Sequence, residues 1–427
     1  MPTITSLRTS VEQLLRKGDD TPATGSQPRP DIAWRAVARR AAGIWLATRA
    51  ALLAITYYAV TYLHGTANGP AGHDTPILSL SPDTYLNAWL QWDVHWYLRV
   101  GLNGYAGDPA GAAFFPLYPI LIRGVSFVVG ADHALFAAML LSNLAALAAF
   151  IGLGLLVSHE AGFETATRSI RLLAAYPLAF FLAAGYGDSL FIALAVFALL
   201  FARRGQWWWA AGCALLAGFT RITALILIAP LLWEYGRQHD WWRNGAWRTW
   251  LRQPRAIAEL LALAAAVPAS IGIFAFYLWR LFGDPLMIPH IEGQIWTHRR
   301  TLPWNTLIMA VRDFFAAPFG SMGEAHMLFD LMPVLAFGAI TLALLRRMPV
   351  AYTLYMIGLI GLSLASPIIV GNEPLLSVGR YMMAAIPMFL VLGTWTRRSW
   401  LDTLLVTAGF GVQAILLMQF FAHSWIV

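Results

Sequence analysis

Long apolar runs separated by short arginine-bearing breaks repeat along most of this chain. After a polar stretch over residues 1–33, they fall near 42–63, 135–157, 173–185, 188–203, 207–219, 222–235, 257–281, 326–346, 350–370, 381–396 and 400–423. Such runs predict helices, and those near 20 residues match the ~30 Å hydrocarbon core of a bilayer. Others fall short of that length, and short or broken helices at membrane depth ordinarily enclose a cavity. The pattern predicts an all-α polytopic membrane protein with about eleven transmembrane helices.

Composition agrees with the pattern. Of 427 residues 59% are apolar and 12% charged, against about 25% charged in soluble domains. The net charge of +7 comes from arginine, Lys17 being the only lysine. In a membrane protein such an excess reads as topology and contact with anionic lipid; no nucleic-acid partner is expected. The single cysteine, Cys213, permits no intrachain disulfide.

Arginine positions orient the chain. Arg35, Arg39 and Arg40 precede the first run, so the N-terminus is expected in the cytoplasm. Beyond residue 158, arginines fall in alternate breaks, at 168 and 171, 203 and 204, 237 to 255, 346 and 347, and 397 and 398. All become cytoplasmic if Phe114 to Gly130 does not cross. That segment is short, holds Pro116 and Pro119 and carries Arg123, so a juxtamembrane element is predicted. The expected organisation is a disordered cytoplasmic tail over 1–33 and one transmembrane catalytic domain over 34–427. Within it, 64–134 forms a first extracytoplasmic loop with juxtamembrane helices, and 282–325 a second long outer loop.

This topology gathers polar residues from distant sequence on the outer face, the strongest physical hint of an active site. Asp93, in Gln91-Trp92-Asp93-Val94-His95-Trp96-Tyr97, is placed to take a proton from a hydroxyl, or is an ordinary surface aspartate or helix cap. His95 pairs with Asp93, binds phosphate or caps a helix, and Arg99 shares a helical face with it. No third ligand is spaced for a metal site, and none is expected. Asp188, after Gly185-Tyr186-Gly187, reads equally as a helix N-cap and as a partner for a sugar hydroxyl. Arg221 and Arg380, the latter beside Tyr381, interrupt apolar sequence; each either holds a phosphate or snorkels to the interface. His298 and Arg299, in the cluster with His290, Glu292 and Arg300, lie where positive charge is disfavoured, which favours a ligand role. No P-loop, Rossmann fingerprint or nucleophile elbow is present, and no cofactor is expected.

Several of these residues together resemble a known family. Trp92-Asp93, His95, Tyr97, Gly101, Gly104-Tyr105 and Phe114-Phe115-Pro116-Leu117-Tyr118-Pro119 are similar to the first outer loop of the PIG-V family, which adds the second mannose to the GPI anchor and has bacterial relatives. Tyr176 to Phe191, Arg203 to Arg221 and Ser377 to Pro387 match in the same order. The chain departs from the family at Gln91, where arginine is usual, and at Asp188, where glutamate is usual. The resemblance implies the C-type glycosyltransferase (GT-C) fold, Asp93 as catalytic base, and a polyprenyl-phosphate sugar donor, mannose first among sugars. It implies an inverting transfer to a lipid-linked or glycan acceptor on the extracytoplasmic side of a bacterial plasma membrane. Tyr118, inside the most specific motif, joins His95, Arg99, Asp188, Arg221, His298, Arg299, Arg380 and Tyr381 as an expected substrate-binding residue. Rival readings are a transporter or flippase of a lipid-linked sugar, which predicts paired repeats and midplane charges, and a non-catalytic membrane subunit.

Overall fold

The computed structural model describes residues 34–67, 81–241, 253–368 and 373–422. The expected tail over 1–33 and the arginines at 243, 248 and 252 lie outside them. Among the described residues the chain is all α, with no strand and one isolated bridge between His298 and Ile368.

Five helices are long and apolar enough to cross a membrane: Trp34–Leu63, Ala131–Ala161, Pro254–Phe282, Met322–Ala343 and Ser399–Phe421. A sixth span results if Val378–Ala384 and Ile386–Trp395, bent by 74° at their junction, count as one. Large apolar side chains such as Leu53, Tyr57, Phe276 and Leu342 stand exposed on these helices. An apolar surface of that extent fits a lipid environment and not water.

The other expected spans are shorter pieces. The run 173–185 is not one helix: α6 (Phe163–Ala174) ends ahead of Pro177, and only a 3-10 turn at Ala179–Leu182 follows. Proline disfavours helical backbone in the residue before it, which stops the helix here. The next helices are α7 (Asp188–Arg203), α8 (Trp207–Gly218) and α9 (Ile228–Gln238), with a second 3-10 stretch at Ile222–Leu227. At 1.5 Å per residue α7 is about 24 Å long and α8 about 18 Å, both below the ~30 Å of the bilayer core. Irregular backbone at such depth is tolerated only where protein buries it, and residues 178–189 are buried throughout. Phe114 to Gly130 holds α4 (Leu117–Val129), whose 13 residues are too short to cross. Its Phe127 and Val128 are almost fully exposed.

Close packing centres on α5 (Ala134–Ala161), rich in alanine and glycine. A Cβ at Gly152 would stand 2.6 Å from Val196 of α7, so only glycine lets these two helices approach. At its far end α7 carries Arg203, which donates to Glu160 (2.7 and 3.0 Å) and Glu234 (3.2 Å). The Tyr352 hydroxyl adds a bond to Glu160 (3.1 Å). This buried network ties α5, α7, α9 and α14 (Val350–Leu364) together. Fifteen residues separate Arg203 from Asp188, so the network lies about 22 Å along α7 from the site below.

Candidate functional site

Asp93 is the first residue of α3 (Asp93–Asn103), where a carboxylate meets the positive end of the helix dipole. Trp92, just before it, has φ +51° and ψ −117°. For a bulky side chain that conformation is strained, costing on the order of 1–3 kcal/mol. The turn persists because both sides are held. Val94 and Tyr97 are buried in the core, and the Tyr186 hydroxyl donates to the Gln91 carbonyl (3.3 Å).

Arg380 reaches Asp93 from the other end of the chain, with Nη2 3.0 Å from Oδ2. It lies on the one-turn helix α15 (Val378–Tyr381), whose backbone is clamped. Tyr176 donates to the Gly379 carbonyl (2.7 Å), and the Gly379 N–H donates to Asp330 Oδ1 (2.6 Å). A Cβ at Gly379 would stand 2.6 Å from the Phe329 carbonyl, so the clamp closes only on glycine. Ser377, three residues before Arg380, is in the left-handed region at φ +69°. The guanidinium sits over the rings of Tyr186 (5.0 Å) and Phe181 (5.4 Å), a cation–π setting that favours the charged form.

Asp188 completes the cluster. The helix-cap reading is not realised: Gly187 is the N-cap, and no side-chain cap bond forms. The carboxylate faces cations instead, with Oδ1 2.6 Å from Arg221 Nη1 and 3.8 Å from Arg380 Nε. Arg221 stacks on Tyr381, its Cζ 4.6 Å from the ring centre. The order Asp93, Arg380, Asp188, Arg221 alternates in sign and sums to zero. Beside it lies a cavity of about 10 Å³ lined by Asp188, Arg221, Thr223, Arg380 and Tyr381, room for about one water. Asp188 Oδ2, Ser189 Oγ and Thr223 Oγ1 are buried and bonded to no protein group. Buried polar atoms left in that state point to a ligand or solvent. Tyr97 packs against the residue before Asp188: its hydroxyl lies 3.1 Å from where a Gly187 Cβ would be, and burial pushes that phenol well above its usual range.

Five of the residues expected from the sequence, Asp93, Asp188, Arg221, Arg380 and Tyr381, therefore meet in one place. The other five do not join them. His95 is exposed. Arg99 is half-exposed and committed to Asp108 (2.8 Å). Tyr118 is fully buried: its hydroxyl donates to the Ala138 carbonyl (2.7 Å) and lies 2.6 Å from Ser142 Oγ, which donates to the Tyr186 carbonyl. That chain of bonds commits the Tyr118 hydroxyl to packing beside the cluster. His298 is 2.8 Å from the Ser366 carbonyl through Nδ1 and 3.5 Å from Glu292 through Nε2. Arg299 is exposed, and its backbone N–H donates to Pro367.

Sequence reasoning overlooked Tyr186, Thr223 and Asp330. Asp330 is an ionisable residue inside an apolar run, which is itself a signal. So is Arg49, in the first span, stacked on Trp45 (5.6 Å) with Nε and Nη2 buried and unbonded. Tyr186 and Thr223 carried no such mark. Among the described residues no three His, Cys, Asp or Glu side chains cluster as a metal site. Two cations and two carboxylates beside a small recess are suited to holding an anionic group near a base that acts on a hydroxyl. No family model, curated protein or solved structure matches this chain.

Proposed function

We propose that this chain is an inverting, polyprenyl-phosphate-dependent glycosyltransferase of the C-type fold, related to the PIG-V family, with mannose as the transferred sugar. The observation that carries the reading is the 3.0 Å approach of Arg380 to Asp93 across 287 positions of sequence. It pairs the carboxylate of the outer-loop motif with a guanidinium suited to a phosphate. Asp93 takes the proton of an acceptor hydroxyl, whose oxygen attacks the anomeric carbon from the face opposite the phosphate. The bond from that carbon to the phosphate oxygen breaks, and its electron pair leaves on the polyprenyl phosphate. Arg380 and Arg221 stabilise the charge gathered there. A phosphate needs little protonation to leave, so one carboxylate suffices, unlike the pair used in glycoside hydrolysis. With six long spans, the broken segment 173–185 and the short helices α7, α8, α9 and α14 would complete the expected eleven crossings where the bilayer thins around them, leaving a lateral way in for the polyprenyl tail. By the arginine pattern the site faces the extracytoplasmic side.

Purified full-length protein, supplied with polyprenyl-phosphate mannose and lipid or glycan acceptors, tests this. Asp93→Asn is expected to lower transfer by at least about 100-fold, the usual contribution of a general base, while polyprenyl phosphate still binds. Near-normal turnover in that variant overturns the assignment.

A further inference from the structure

Arg380 is held less tightly than its neighbour. Arg221 makes a 2.6 Å bond to Asp188 and stacks on Tyr381. Arg380 has a 3.0 Å contact with Asp93, a 3.8 Å approach to Asp188, and an Nε that is buried yet bonded to nothing. Its two carboxylate partners also differ in access to water. The Asp93 side chain is 21% exposed and that of Asp188 6%. Asp93 can therefore withdraw to solvent at small cost, whereas Asp188 cannot.

The site as it stands is closed to a phosphate. Its cavity of about 10 Å³ has room for about one water, not for a phosphate group. It also holds its own base: Arg380 Nη2 lies 3.0 Å from Asp93 Oδ2, where an acceptor hydroxyl would have to approach. Both obstacles are removed by one movement. We propose that Arg380 exchanges partners, clamping Asp93 when the site is empty and passing to the donor's phosphate when it is filled, so that donor binding is what releases the base. The inference rests on the glycosyltransferase reading and adds an order to it, donor before acceptor.

Charge supports the exchange. The empty quartet is neutral. With a phosphodiester of charge −1 in place of Asp93, the group of Arg380, Arg221, Asp188 and phosphate is neutral again. Asp93 is left as a free carboxylate facing the acceptor. A planar guanidinium binds two phosphate oxygens at once, which Arg380 does not do with either carboxylate here. The strained Trp92 peptide adjoins the group that must move, and relaxing its φ of +51° would favour the released state.

The test reads the accessibility of Asp93 in full-length protein through carbodiimide-driven coupling to an amine, quantified on the Asp93 peptide by mass spectrometry. The ligands are polyprenyl phosphate, inorganic phosphate and, as a neutral control, polyprenol. Polyprenyl phosphate is expected to raise the coupling rate roughly tenfold, as for a pair going from about one-tenth open to fully open. Polyprenol is expected to leave it unchanged. A rise with inorganic phosphate as well identifies the phosphate group alone as sufficient; a rise with the lipid only identifies the lipid-borne headgroup. Arg380→Ala is expected to give fast coupling without ligand and no further response. Arg380→Lys, which keeps the charge, preserves a response if the alanine variant does not fold. Coupling that stays flat or falls while polyprenyl phosphate is bound, in protein that transfers sugar from polyprenyl-phosphate mannose, overturns the exchange and leaves the glycosyltransferase reading standing. Failure of polyprenyl phosphate to bind at all overturns that reading, and the exchange with it.

Discussion

Removing Asp188 separates what the charge cluster does for stability from what it does for chemistry. Asp188→Ala strips Arg221 of a carboxylate at 2.6 Å and Arg380 of one at 3.8 Å. At an effective dielectric near 20 the shorter contact alone represents roughly 6 kcal/mol of attraction before desolvation. The Arg221 side chain is only 16% exposed, so water compensates little. Breaking a buried pair from one side typically costs about 3–5 kcal/mol, and this loss is expected in the upper half because two guanidiniums are affected. At about 2 °C per kcal/mol, as in larger domains, the unfolding temperature in detergent falls by roughly 8–10 °C. The double variant Asp188→Leu with Arg221→Met removes both charges and fills the volume, and such replacements are often neutral. It is expected to regain most of the stability and to remain inactive. A single variant with a temperature shift under about 2 °C would refute the claim that the pair is buried and mutually dependent. An active double variant would refute the role of Arg221 in holding the phosphate.

Further outcomes follow from neighbouring contacts. Gly379→Ala drives a methyl against the Phe329 carbonyl and Asp330; about 1–3 kcal/mol of lost stability and reduced transfer are expected, read by thermal unfolding and turnover. Tyr118→Phe leaves the Ala138 carbonyl and Ser142 without the hydroxyl, costing about 1–3 kcal/mol with the acceptor KM unchanged; a raised KM would restore it to the binding site. Arg99→Ala breaks a solvent-exposed pair with Asp108, and a loss below about 1 kcal/mol is expected with transfer intact. Over residues 284–301, burial raises the Glu292 carboxyl above its ordinary 4.5, while His298 and Arg221 pull it down less strongly. Its contribution to loop stability is therefore present below pH 4.5 and lost as pH rises through the raised value. Asp284 runs the other way: bonds from His290 (2.6 Å) and the Leu286 N–H hold its carboxyl below 3.8, so its contribution is lost on acidification. Hydrogen exchange of residues 284–301 against pH checks both, and Glu292→Gln should flatten the first dependence.

Much of the architecture was legible from pattern alone. Apolar runs are forced on any chain that must satisfy its backbone inside lipid, so the helical class and the five long spans follow from the runs themselves. The same pattern overcounts unbroken helices. Residues 173–185 are as apolar as a span, yet Pro177 and the burial of Phe180 and Phe181 turn them into a broken segment. Apolarity records only that a residue avoids water; it does not say whether lipid or protein surrounds it.

The division at the site has the same origin. Sequence alone marked Arg221 and Arg380, because a charge amid apolar residues is expensive and stands out, and Asp93 and Asp188 as carboxylates in aromatic and glycine-rich breaks within the resembling motifs. It could not separate them from Arg99, His95 or Arg299, which carry the same chemistry in similar company. Only the tertiary structure did so, by turning Arg99 to Asp108 and leaving His95 and Arg299 exposed, while the clamp on Gly379 swings Arg380 to Asp93. Tyr118 shows the converse, a motif residue whose hydroxyl is spent on Ala138 and Ser142 beneath the site. Partner choice depends on distances between segments hundreds of residues apart, set by the packing of every helix between them. No local pattern in the chain encodes that.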